Sequence, residues 1–134
     1  MVLGELRFLY IGTADIDASV AHYTSTLGGR LRWRFQHFGA DVAAIELDAG
    51  PLVLLADHRP PGSVLPLYVV DDLDAAIATC RAGGAEVDGP LESPEGPAIV
   101  VHEPGGAELG LIRIDRPGAM DGAWQDRGNT HRVR

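Results

Sequence analysis

The 134-residue chain predicts an α+β fold: two tandem βαβββ modules forming a curved mixed sheet around a concave pocket. Three observations carry this expectation. The stretch "RFLYIGTADIDASV" (residues 7–20) returns as "VLPLYVVDDLDAAI" (64–77), so a shift of 57 residues places Asp15 on Asp72, Ile16 on Leu73, Asp17 on Asp74 and Ala18 on Ala75. The same shift places Phe8 on Leu65 and Tyr10 on Leu67, and a shift of 56 places "GPLVLLAD" (50–57) on "GAELGLIR" (106–113). In each copy one helical run follows one apolar strand and precedes three more. A single module leaves one face of a four-stranded sheet bare, whereas two half-cups enclose a cavity.

Taken in order, Leu6 to Ile11 reads as a strand, short, apolar and partly β-branched, ending at Gly12. Asp15 or Asp17 opens a helix to about Leu27, because a carboxylate there accepts a backbone N–H and suits the helix dipole. Ile16, Val20 and Tyr23 share one face, and Gly28-Gly29 stops the helix. Strands follow at about Arg30 to His37, Val42 to Leu47 and Leu52 to Ala56, with turns at Gly39 and "DAGP". After the turn-rich "DHRPPGS", the second module runs as a strand from Val64 to Val70 and a helix from Leu73 to Ala82. Its remaining strands fall near Glu86 to Leu91, Ala98 to His102 and Glu108 to Ile114. Pro66 lacks a donor, so its strand belongs at an edge or at the junction of the modules. The modules thus cover about residues 5–57 and 63–115 of one domain (1–115). The Gly-, Arg- and Asp-rich segment 116–134 has no apolar period and reads as a flexible tail, with Trp124 its one bulky anchor.

Composition narrows the function classes. With 46% hydrophobic residues the chain can bury one core, and no apolar run reaches the roughly 20 residues that span a bilayer. "MVLGELRF" lacks the layout of a signal peptide, so a soluble cytoplasmic protein is expected. A net charge of −8 repels nucleic acid and anionic lipid. Every basic residue is Arg, and the absence of Lys excludes Schiff-base chemistry. Cys80, the single cysteine, permits no intramolecular disulfide or thiolate cluster and packs as a small hydrophobe in its helix.

The paired modules, the "D-x-D-A" helix starts, the "GG" helix stops and the late "EPGGAELGLI" strand together resemble the vicinal oxygen chelate superfamily. That superfamily includes glyoxalase I, fosfomycin-resistance enzymes, extradiol dioxygenases and bleomycin-resistance proteins. The likeness covers about residues 5 to 115 and implies the fold more strongly than any one activity. Metal-using members carry one ligand on the first and one on the last strand of each module, facing the cup. Carried onto this chain, those positions are Phe8, Leu54, Leu65 and Gly110, none of which has a metal-binding side chain. The resemblance therefore implies a metal-free member without a cofactor, closest in character to the bleomycin-resistance branch, in which two chains pair.

The expected binding surface follows from the same strands. Phe8, Leu54 and Leu65 give an apolar lining, Gly110 leaves room, and alternation adds Tyr10, Leu67, Glu108 and Ile112. "LRWRFQHF" places Trp33, Phe35 and His37 on one face, either as core or as a stacking platform for a planar ligand. His22, His37, His58, His102 and His131 show no local ligand spacing, and a relocated metal site would need them with Glu46, Glu103 or Glu108.

Three functions meet this pattern. The leading one is a metal-free binding protein that sequesters a bulky, partly aromatic antibiotic or similar metabolite, working as a homodimer. The alternative is an enzyme (a lyase, isomerase or cyclase) with a displaced metal or a metal-free acid–base pocket. In that case Glu108 or His37 is the base, and an apolar pocket raises the pKa of Glu108. The third is an interaction module whose cup is filled by its own side chains.

Overall fold

The computed structural model describes residues 1–133. The chain forms two compact units. One holds Phe8–Val64 and the residues from Met120 onward; the other holds Met1–Arg7 and Leu65–Ala119. Each contains the greater part of one βαβββ module.

In the first module the elements are β1 (Leu6–Gly12), α1 (Ile16–Ala21), β2 (Arg30–His37), β3 (Ala40–Glu46) and β4 (Leu52–Ala56). The strand order is β2-β3-β4-β1. β1 and β4 are parallel, while β3 is antiparallel to both of its neighbours. Asp15 caps α1 by accepting from the Ala18 N–H at 3.0 Å. The helix then widens into a π-helical turn over His22–Thr26 and stops at the glycine pair. Its apolar side packs on alternate strand residues: Ile16 joins Ala43, Ile45, Val53 and Leu55 in a buried cluster flanked by Ile11, Val20 and Tyr23.

The second unit repeats the plan with β5 (Val64–Val69), α2 (Leu73–Ala82), β6 (Glu86–Ser93), β7 (Gly96–His102) and β8 (Glu108–Ile112), in the order β5-β8-β7-β6. Asp72 caps α2 on the Ala75 N–H at 3.0 Å, matching Asp15. Val70, Leu73, Ala76, Ile99, Val101 and Leu111 form its core, and Cys80 packs at the margin as a small hydrophobe. β5 pairs with β8 from Leu67 onward, so Pro66 falls outside the register that joins those two strands.

The two modules agree in register as well as order. In the parallel pairs, Tyr10 stands opposite Leu54 and Leu67 opposite Gly110. The shifts of 57 and 56 seen in the sequence are therefore one structural equivalence. β8 ends at Ile112, two residues short of the expected limit, because the chain turns into the 113–116 segment. That segment is held by an Arg113–Asp115 ion pair and by the Asp115 and Arg116 N–H groups donating to Glu95.

The C-terminal segment departs from the expectation of a flexible tail. Ala119–Gln125 form α3, and the following residues run beside β2: Gln36 N–H donates to His131 and Val133 N–H to Arg34. A bulge between Leu31 and Trp33 turns Arg32 onto the tail, where it grips Asp121 through two bonds of 2.8 and 2.9 Å. Trp124 meets the edge of Phe35 at 5.8 Å between ring centres, and the Arg132 guanidinium lies 4.5 Å over the Trp124 ring. An apolar period is not needed when a few long-range anchors supply the docking.

Candidate functional site

Alternation along the strands of the first unit leaves one face free of α1. On it, Trp33, Ala44, Leu54 and Tyr10 form a single cross-strand row, with Phe8 and Phe35 on adjoining rows. Phe8, Trp33, Phe35 and Leu54 are all buried, and Tyr10 is half-buried. The aromatic row of β2 is thus largely covered, with Trp124 on Phe35.

Tyr10 is the one polar side chain on the Trp33–Tyr10 row. Its hydroxyl lies 3.2 Å from Nε2 of His58, and the two rings meet edge to face. Burial, with the Asp57 charge added and the Arg59 charge opposing, pushes the phenol up to about 12. Tyr10 therefore holds its proton throughout the neutral range, donating to Nε2 when His58 carries its proton on Nδ1.

Gly12 explains why His58 is within reach. The Ser63 carbonyl accepts from the Gly12 N–H, and the Gly62 N–H donates back to Gly12. The connecting backbone then passes so close that a Cβ on Gly12 would sit 2.0 Å from the Pro60 carbonyl oxygen. Only glycine admits the linker there, and the linker carries His58 to Tyr10. Gly12→Ala is expected to destabilise the protein by about 1–3 kcal/mol and to separate the pair. Thermal unfolding checks the first effect and the Tyr10 titration by ultraviolet difference spectroscopy the second.

On the face of the second unit turned away from α2, Leu67 stands beside Gly110 and Val69 beside Ile112. Leu65 and Ile112 are buried. Gly110 does not leave the room expected of it: a Cβ there would meet Leu67 Cγ at 2.8 Å, so the Leu67 side chain already covers the glycine. Glu108 also differs from expectation. It is exposed and paired in register with His102 rather than set in an apolar pocket. His102 binds Asp88 through Nε2 at 2.6 Å. That hydrogen bond, aided by the charges of Asp88, Glu108 and Glu86, holds the imidazole above its usual pKa. His37 lies at the far end of β2, stacked on His131 at 3.9 Å.

The residues do not fit a divalent ion at the superfamily's ligand positions. Phe8, Leu54, Leu65 and Gly110 offer no donor atom, and the nearby Tyr10 hydroxyl is engaged with His58. Among the described residues, no three of His, Cys, Asp or Glu come together as a metal-binding group.

Both module order and register are those of one known fold, and the comparisons agree. Residues 6–111 match the Glyoxalase/Bleomycin resistance protein/Dioxygenase superfamily, and the chain belongs to it. Its fold is similar to that of methylmalonyl-CoA epimerase from Mycobacterium tuberculosis, with TM-score 0.73 and 19% identity over 86% of this chain and 91% of that one. The Streptomyces coelicolor methylmalonyl-CoA epimerase, in complex with 2-nitronate-propionyl-CoA, gives 0.71 and 19% over 85% and 99%. A hypothetical protein from Bacillus halodurans gives 0.71 and 13% over 84% and 95%. No curated protein matches the chain in sequence. Among the described residues, no helix is long and apolar enough to cross a membrane.

Proposed function

We propose that this chain is an acid–base enzyme that moves a proton on a carbon next to a carbonyl group, without a metal at the superfamily's ligand positions. The Tyr10–His58 pair carries this reading, because it places a firmly protonated hydroxyl on the apolar face of the first module beside the imidazole nitrogen of a solvent-exposed histidine. When a carbonyl oxygen enters, the Tyr10 hydroxyl turns to it and frees Nε2 of His58. The imidazole takes the α-proton, the electron pair moves onto the carbonyl oxygen as an enolate, and Tyr10 steadies that charge. Return of the proton from His58 to carbon completes the cycle with no redox partner. The fold neighbours lend support, since an epimerase acting on methylmalonyl-CoA handles a substrate with such a carbon.

The test is deuterium incorporation at carbon, followed by NMR in heavy water, across 2-substituted acyl thioesters, methylmalonyl-CoA among them, and 2-oxo acids. Exchange that is lost in His58→Gln supports the enzyme. A second reading is sequestration of a bulky antibiotic or metabolite, favoured by the apolar side chains Phe8 and Leu54 at former ligand positions. Saturable binding of a compound with no exchange or turnover supports that reading instead. Pairing of two chains belongs to both, and sedimentation equilibrium measures it.

A further inference from the structure

A second site lies at the β2–β3 hairpin, sharing no residue with the Tyr10–His58 pair and standing whether or not that pair is catalytic. Two residues, Phe38 and Gly39, make the turn between His37 and Ala40, which are in register. Both have positive φ, 51° at Phe38 and 75° at Gly39. Asn, Asp or Gly normally takes the first of these places, and a bulky side chain there is strained. Burial does not offset the strain, because Phe38 is 97% exposed. Strain that burial does not offset directs attention to function.

The exposed ring is not idle in its surroundings. Phe38 stacks on His37 at 3.9 Å and 19°, and His37 stacks on His131 at 3.9 Å and 9°. The three parallel rings border a pocket of about 430 Å³ that Gln36, Asp41 and Asp57 also line. This volume falls in the range of roughly 300–1,000 Å³ that suits a small molecule. Of the two carboxylates, Asp41 is held bidentately by Arg34 and also accepts from Gln36. Asp57 uses Oδ1 to accept the Asp41 N–H and brings its negative charge to the pocket.

The geometry points to a binding site for a planar aromatic cation, which would lie against the open face of the Phe38 ring, at the end of the Phe38–His37–His131 stack, with its charged nitrogen toward Asp57. A ring face supplies offset stacking and cation–π attraction, and the carboxylate selects against anions. The net charge of −8 favours approach of the same class. His131 comes from the C-terminal segment, so docking of α3 also completes this wall.

Proflavine, a planar cationic dye, is the probe, followed by its fluorescence at 150 mM salt, with anionic 9-anthracenecarboxylate as control. Saturable binding of one proflavine per chain is expected, with no saturable binding of the control. Phe38→Gly suits the turn, so its melting temperature should rise while proflavine affinity falls at least tenfold. Asp57→Asn keeps an acceptor for the Asp41 N–H, and it too should lose at least tenfold. Binding that is unsaturable, or that is equally tight in Phe38→Gly and in Asp57→Asn, overturns the site.

Discussion

Asp41→Ala is expected to lower the free energy of unfolding by about 3–5 kcal/mol, the usual cost of breaking a buried ion pair by removing one partner. The pair qualifies, since the Arg34 side chain is 11% exposed and that of Asp41 5%. Arg34 donates to both Asp41 oxygens, at 3.0 and 2.7 Å, and through Nη1 to Asp17 at 2.8 Å. One guanidinium thus ties β2 to β3 and both to α1. Asp17 is largely exposed and cannot balance Arg34 alone once Asp41 is gone. The control is Arg34→Met with Asp41→Leu, which removes both charges and should recover most of the loss. Chemical denaturation of the wild type and of these two variants decides the matter, and a loss below about 1 kcal/mol in Asp41→Ala would show that the pair is not structural.

The pH dependence of that stability has a definite sign. Burial pushes the Asp41 carboxyl upward, but the hydrogen bonds from Arg34 and Gln36 and the Arg34 charge outweigh it, and the group sits below its usual value. A lowered folded-state pKa adds stability above the unfolded value of about 3.9, which is lost as pH falls through the folded one. Wild-type protein should therefore lose stability below about pH 4 more steeply than Asp41→Asn does.

Much of the fold was legible because the repeat records register. Asp15 and Asp72 cap equivalent helices, and the displaced pairs Tyr10–Leu54 and Leu67–Gly110 are neighbours in equivalent strand pairs. The C-terminal helix was not legible, since its anchors reach across the chain: Asp121 to Arg32, 89 residues away, and Trp124 to Phe35. Gly110 misled for a related reason, because periodicity cannot show that the Leu67 side chain leans across it. At the candidate site, alternation identified Tyr10 but not His58, which sits in a linker without period. The available signal was Gly12 facing a Pro-rich turn, a hint of close backbone approach. Phe38 left a plainer mark, a bulky residue in the first place of a two-residue turn that ends in glycine.

Tyr10→Phe is expected to reduce proton exchange at carbon by about 10²–10³-fold in kcat with little change in KM, because the hydroxyl acts on charge that develops only as the enolate forms. The substitution removes one oxygen from a half-buried ring, so melting temperature should move little and separate chemistry from folding. His58→Gln should cost about 10²–10⁴-fold, the range for removing a general base. The double variant should fall little below His58→Gln, since residues that act as a unit are not additive. Tyr10 also sets an expectation for alkaline pH. Burial raises its folded-state pKa well above that of a free phenol, so a fall in rate between neutral pH and about pH 10 is expected to come from another group. If Tyr10→Phe and His58→Gln both retain full exchange activity, the pair is a packing contact and the chemistry lies elsewhere. If wild-type protein shows no exchange yet binds its compounds saturably, the superfamily fold has been kept here for holding a ligand rather than changing it.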